Sequence, residues 1–150
     1  MDGNVFAIMG VAIAIVMSGI GSSLGVAAAA QAAAGVVSED PDKFGKTLVL
    51  QLLPSTQGIY GFIVGFLMLF LKILPGVATK EQGLVYLGIC IPVGVVGLIS
   101  AIYQGKVAAT AINMVGRRPE LSGRGMLMAA FVEMFALLGF IVSIIGVIML

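Results

Sequence analysis

The sequence predicts an all-α integral membrane protein with four transmembrane helices arranged as two duplicated helical hairpins. Three observations lead there. Of the 150 residues, 60% are hydrophobic and only 10% charged, with a mean hydropathy of +1.17, too little polar surface to enclose a soluble globule. Four long stretches carry almost no charge, and each is long enough to cross a hydrocarbon core about 30 Å thick. Short motifs of the first half also recur in the second.

The first apolar stretch runs over residues 3–38. The N-terminal segment MDGNVFAIMG has an acid where a cleaved leader would be basic, and the apolar run behind it is too long for an h-region, so it reads as a retained span. A turn at SEDPDKFGK (38–46) leads into the second stretch, 47–71. The connector LPGVATKE (74–81) precedes the third, 82–116, which contains Lys106. GRRPELSGR (116–124) then leads into the fourth, 125–150, which contains Glu133. Proline and glycine in every connector suit tight helix–helix turns. The first and third stretches exceed a bilayer's thickness, which predicts tilt or projection beyond it. Lys43, Lys46, Arg117, Arg118 and Arg124 lie on one side, against Lys72 and Lys80 on the other. By the positive-inside rule the loops 38–46 and 116–124 face the cytoplasm of a multi-pass cell-membrane protein, and the termini lie outside.

The repeat is read as a hairpin at 1–73 and a second at 81–150 within a single membrane domain, 1–150. GFIV occurs at 61–64 and 139–142, and PDKFGK (41–46) aligns with PELSGR (119–124) at the same offset of 78. Upstream, an offset of 80 pairs Gly21, Gly25 and Ala29 with Ala101, Gly105 and Ala109, two ladders of small residues that let helix backbones approach closely in lipid. On these offsets Glu133 corresponds to Ser55 and Gln104 to Leu24, so only the second hairpin keeps an acid.

Ordinary enzyme chemistry finds little here. There is no histidine, no P-loop, no Gly-x-Ser-x-Gly and no Cys-x-x-Cys, and the single Cys90 reads as a small core hydrophobe. A net charge of +1 gives no basic surface for nucleic acid. What remains is AAFVEMFALLGF (129–140), where Glu133 stands alone in an apolar span. A carboxylate at bilayer depth costs at least ~2.5 kcal/mol, and such groups mark ion paths, proton relays or buried pairings.

LQLLPSTQGIYGF (50–62) puts Leu53, Thr56, Gln57 and Tyr60 on one helical face. Counted from the turns, Gln104 lies 15 residues before Pro119 and Glu133 lies 14 after it, while Thr56 and Gln57 lie 15 and 16 beyond Pro41. All four reach one level at 1.5 Å per residue. A carboxylate, two amides and a hydroxyl are hard oxygen ligands, and one net negative charge suits a monovalent cation such as Na⁺. A proton carrier needs only the carboxyl. Taken singly, each polar residue could equally be bonded to its own helix or to a neighbouring one. Pro54 predicts a kink beside the stripe, because it leaves the Leu50 carbonyl without its usual donor. Lys106 is given no ion-binding role.

These three segments, LQLLPSTQGIYGF, AIYQGKVAA and AAFVEMFALLGF, on a duplicated four-helix plan, resemble the proteolipid K (c-ring) subunits of bacterial V-type (V/A-type) rotary ATPases, most closely the sodium-translocating ones. The resemblance covers nearly the whole chain. It implies assembly of identical subunits into a rotor ring in the lipid, a non-catalytic part of an ATP-driven pump or synthase. It implies a stator subunit with an essential arginine, and a central-stalk subunit docking at loops 38–46 and 116–124. It also implies Glu133 as the ion-carrying carboxylate, Thr56, Gln57 and Gln104 as side-chain Na⁺ ligands, the Leu53 carbonyl as a further ligand, and Tyr60 as the hydrogen-bond partner of Glu133. Ser55 and the pair Met134–Phe135 depart from the close relatives' pattern. Three other readings stand beside this one: a proton-carrying ring, a small four-helix cation or drug exporter, and a tetraspan scaffold whose polar cluster is packing glue.

Overall fold

A computed structural model describes residues 2–76 and 79–150. Five α-helices carry the chain: α1 (Gly3–Glu39), α2 (Phe44–Leu52), α3 (Thr56–Met68), α4 (Lys80–Arg117) and α5 (Ser122–Met149). With the short turns between them they form four spans, each long and apolar enough to cross a membrane: Gly3–Glu39, Pro41–Ile73, Lys80–Arg117 and Pro119–Met149. At 1.5 Å per residue, α1 and α4, with 37 and 38 residues, are about 55 Å long and overrun any hydrocarbon core.

The loops 38–46 and 116–124 are tight helix–helix turns, as their proline and glycine predicted. Helix α1 continues to Glu39, Asp40 reverses the chain, and one 3-10 turn, Pro41–Lys43, leads directly into α2. Proline fits there because its fixed φ suits a first helical position and its missing N–H is an orphan anyway. The Asp40 carboxylate accepts the Asp42 N–H at 3.1 Å. The second hairpin repeats the device with Arg118 and the turn Pro119–Leu121. Lys43 ties the two turns together, donating to the Gly116 carbonyl at 2.7 Å and pairing with Asp40 at 3.1 Å. In the 74–81 connector, Gly76 takes φ +110°, a left-handed conformation that glycine adopts without strain, and Thr79 caps α4 by accepting the Gln82 N–H. Val77 and Ala78 of that connector lie outside the described residues.

The closest packing joins α1 to α4. A Cβ on Gly25 would strike the Ala101 carbonyl, one on Gly105 would strike the Gly25 backbone, and one on Gly83 would strike Gly3. The small residues of the two ladders therefore face each other. They are not repeat-equivalents, and the offset of 80 is corrected by the contacts. Within hairpin one Gly61 lies on Ala14 and Ser18, and within hairpin two Gly139 lies on Pro92 and Val96. Every one of these positions is displaced by 78. On that register Gly21, Gly25 and Ala29 correspond to Ile99, Tyr103 and Val107, and Gln104 corresponds to Val26. Ala109 is only half-buried, and Ala108 takes the core position.

Cys90 is fully buried, as the apolar run predicted. Pro92, to which the sequence reading gave no role, lies inside α4. Beside it the Val93 N–H reaches across to Ser143 Oγ of α5 at 3.2 Å.

Candidate functional site

Pro54 sets the site's backbone. With no N–H to give the Leu50 carbonyl, the chain tightens into a 3-10 turn at Leu53–Ser55, and the Thr56 N–H bonds to the Leu53 carbonyl. Beyond it the Gly58 N–H donates to Ser22 Oγ on α1, at 2.8 Å. The expected kink is thus an interruption of the second span, after which α3 restarts with Thr56, Gln57 and Tyr60 toward α4 and α5.

Glu133 of α5 meets them there. Thr56 Oγ1 lies 2.7 and 2.8 Å from its two carboxylate oxygens. Tyr60 donates its hydroxyl to Glu133 Oε1 at 2.7 Å, with its ring stacked on Phe140 at 4.9 Å between centroids. Gln57 Nε2 donates to Glu133 Oε2 at 3.1 Å and to Gln104 Oε1 at 2.6 Å. Gln104 Nε2 in turn donates to the Ala129 carbonyl at 3.1 Å, one turn before Glu133 on its own helix. Gln57 and Gln104 are wholly buried, at 0% exposure, while Glu133 is half-buried. Among the described residues every buried side-chain nitrogen and oxygen has a partner.

The donor count says what such a site can hold. The Thr56 hydroxyl has one proton but faces four oxygens: the Leu53 carbonyl at 3.0 Å, Gln57 Oε1 at 3.4 Å and both oxygens of Glu133. It can satisfy one. The remaining approaches set lone pair against lone pair, and a cation placed among them relieves that repulsion. The oxygens come from a carboxylate, a hydroxyl, amides and a backbone carbonyl, the hard donor set of alkali and alkaline-earth ions.

Leu53, Thr56, Gln57, Tyr60, Gln104 and Glu133 all belong to this one network. Ser55, at the repeat position of Glu133, bonds back to the Leu52 carbonyl at 2.6 Å and takes no part in it. Lys106 places its Nζ 4.8 Å from the Tyr103 ring centroid, outside the network. Ser22 and the Ala129 carbonyl were missed by sequence reasoning. No spacing signal marks either one, since both act through a single contact between separate helices.

Two segments, residues 9–68 and 87–146, match the profile of the ATP synthase C-subunit family. The chain belongs to that family. The two matches are offset by 78, the register the glycine contacts give, so the fold is two duplicated hairpins of a multi-pass membrane protein. Each of the two family repeats contributes to the site: Leu53, Thr56, Gln57 and Tyr60 come from the first, Gln104 and Glu133 from the second. Among individual proteins, the K subunit of the V-type sodium ATPase of Enterococcus hirae is 46% identical over 141 residues, covering 94% of this chain and 89% of the relative. The K subunit of the A-type ATP synthase of Methanocaldococcus jannaschii is 35% identical over 145 residues, 96% of this chain and 62% of that longer protein. The 16 kDa proteolipid of the Homo sapiens V-type proton ATPase is 26% identical over 140 residues, 93% of this chain and 89% of the relative.

Proposed function

We propose that this chain is a subunit of the membrane rotor ring of a V-type ATPase or ATP synthase, carrying Na⁺ across the membrane on Glu133 as the ring turns. The observation that carries it is the Thr56 hydroxyl set against four oxygens beside a half-buried carboxylate. The 46% identity to a V-type sodium ATPase subunit supports the same reading. Glu133 supplies the charge, and Thr56, Gln57, Gln104 and the Leu53 carbonyl supply neutral oxygens. Rotation of the Gln57 amide would present Oε1 to the ion in place of Nε2. Tyr60 holds the same carboxylate by donating its hydroxyl to Oε1. A loaded site has no net charge, and a neutral site can face lipid during rotation without the cost of an exposed ion.

In this reading the subunit is non-catalytic, and its two hairpins, 1–73 and 81–150, form one membrane domain. The loops 38–46 and 116–124 lie in the cytoplasm against the central stalk, the termini lie outside, and an arginine of the stator displaces the ion. The relatives named for protons support the alternative, a proton-carrying ring. Against it, a proton needs only the carboxyl, whereas Thr56, Gln57, Gln104 and the Leu53 carbonyl bring further oxygens to the same place.

Carbodiimide labelling of Glu133 separates the two, because the reagent attacks a protonated carboxyl. Purified protein is labelled across a pH series in NaCl and in choline chloride. Protection by Na⁺ at millimolar or lower concentration supports sodium carriage. Labelling that follows pH alone would transfer the assignment to protons, and the absence of labelling at every pH would remove Glu133 from the carrier role.

A further inference from the structure

Helix α1 gives no side chain to the network around Glu133, yet it holds the segment that does. The Gly58 N–H donates to Ser22 Oγ of α1 at 2.8 Å, and Ser22 is buried, at 8% exposure. The approach is close: a Cβ on Gly58 would lie 3.2 Å from that oxygen and 3.3 Å from Ser22 Cβ. The other serines of α1 turn back on their own helix. Ser18 donates to the Ala14 carbonyl at 2.5 Å, Ser23 to the Gly19 carbonyl at 2.8 Å and Ser38 to the Gly35 carbonyl at 2.8 Å. Among the described residues, Ser22 is the α1 serine whose hydroxyl is turned to another helix.

The internal repeat supplies a comparison. At the offset of 78, Ser22 corresponds to Ser100 and Gly58 to Ala136. Both serines are buried, but Ser100 falls back on the Gly97 carbonyl at 3.4 Å, and Ala136 carries the methyl that Gly58 lacks. Helix α5 runs unbroken past Ala136, whereas the segment before Gly58 has just been interrupted at Pro54 and bears Thr56 and Gln57. The serine is present in both hairpins. The bond between helices is made in the hairpin whose segment brings neutral oxygens to Glu133.

We propose that Ser22 is a positioning residue of the ion site: its hydroxyl fixes the peptide unit between Gln57 and Gly58, and with it the direction in which the Gln57 side chain leaves the backbone. The Gly58 N–H and the Gln57 carbonyl belong to one rigid plane. Held at that plane from α1, Gln57 can still rotate its amide to turn Oε1 toward the ion while its Cβ stays in place. From α4, Gly97 packs near the same carbon, since a Cβ there would lie 3.8 Å from Gln57 Cβ. A ligand that is already held gives up less freedom when the ion arrives, and the affinity rises accordingly. The proposal rests on the sodium-carrying reading and adds α1 to the parts that set its affinity.

Purified protein is labelled with carbodiimide in rising NaCl and in choline chloride, and the Na⁺ concentration giving half-protection of Glu133 is compared among variants. Ser22→Ala is expected to raise that concentration about three- to tenfold, while Glu133 still labels fully in choline chloride. Ser22→Thr, which keeps the hydroxyl, recovers most of the loss. Ser18→Ala removes a wholly buried hydroxyl bonded to its own helix, and it lowers the thermal midpoint without moving half-protection. Gly58→Ala crowds Ser22 and also raises half-protection, and Ser22→Ala combined with Gly58→Ala gives less than the product of the two effects, as coupled neighbours do. Unchanged half-protection in Ser22→Ala, or an equal rise in Ser18→Ala, overturns the positioning role and leaves the sodium reading standing. An unaltered protein that Na⁺ does not protect overturns the sodium reading itself. If Ser22→Ala is not recovered folded, Gly58→Ala decides alone, and the absence of a rise there overturns the proposal.

Discussion

Removing the Thr56 hydroxyl tests the ion site at its centre. Thr56→Val keeps the shape of the side chain and deletes the one atom that touches both oxygens of Glu133, at 2.7 and 2.8 Å. In the empty site the lost contact is a hydrogen bond to a carboxylate. In the loaded site the proton of Thr56 can remain on Glu133 or on the Leu53 carbonyl while its lone pair faces the ion, so the hydrogen bond is common to both states and largely cancels from the affinity. What does not cancel is the oxygen directed at the ion. Its worth is comparable to a hydrogen bond to a charged group, about 1.5–3 kcal/mol. At ~1.4 kcal/mol per tenfold, the Na⁺ concentration giving half-protection from carbodiimide rises roughly 10- to 100-fold in Thr56→Val. Thr56→Ser restores the hydroxyl and returns the value to within a few-fold. A shift of less than about threefold in Thr56→Val, with protection otherwise intact, refutes Thr56 as a ligand and leaves it as a hydrogen-bond donor only.

Three further outcomes are expected. Gly105→Ala forces a methyl into the Gly25 backbone, an overpacking worth about 1–3 kcal/mol, and lowers the thermal midpoint in detergent, whereas Gly123→Ala, which meets nothing within 4 Å, leaves it unchanged. Ser143→Ala removes the hydroxyl that the Val93 N–H reaches beside Pro92, a hydrogen bond worth about 0.5–1.5 kcal/mol read in the same melt, and Ser143→Thr recovers part of it. Asp40 is held below its ordinary carboxylate value of 3.8, first by its hydrogen bond to Lys43 and also by that of the Asp42 N–H. A depressed folded-state value contributes stability above the unfolded value and loses it as the pH falls through the folded one. Protection of the amides in the 38–46 turn, measured against their intrinsic exchange rates, therefore falls on acidification below 3.8, and the step disappears in Asp40→Asn.

The four spans, the two loops of the hairpins and four residues of the network, Thr56, Gln57, Gln104 and Glu133, were legible because each leaves a mark along the chain, whereas the Leu53 carbonyl and the bond from Tyr60 came only with the family resemblance. Apolar length marks a span, proline and glycine mark a turn, and a charge without neighbours marks Glu133. The repeat was half-legible. GFIV and the loop motifs gave the offset of 78, but with 21 glycines in 150 residues, small-residue spacings match at more than one offset. The choice of 80 paired Gly25 with Gly105 because both are small, and both are small because they touch each other. Contact partners and repeat partners look alike in one dimension, and the Gly61 and Gly139 contacts and the two family matches separate them. The pairing of Gly58 with Ser22, and of Val93 with Ser143, was not legible at all. Each joins a backbone N–H near a proline to a serine of another helix that lies far away in sequence.

The glycine contacts between α1 and α4 have a mechanical meaning. Gly3 meets Gly83, and Gly25 meets Gly105, backbone to backbone at points about 33 Å apart along the helix. Between them α1 presents only short side chains to the seam, among them Ala7, Ala14 and Ser18. Long side chains are the deformable layer of a helix interface, and here that layer is thin. The joint between the hairpins is therefore stiff, so a load on one hairpin moves the other with it and the residues that each contributes to the site keep their spacing.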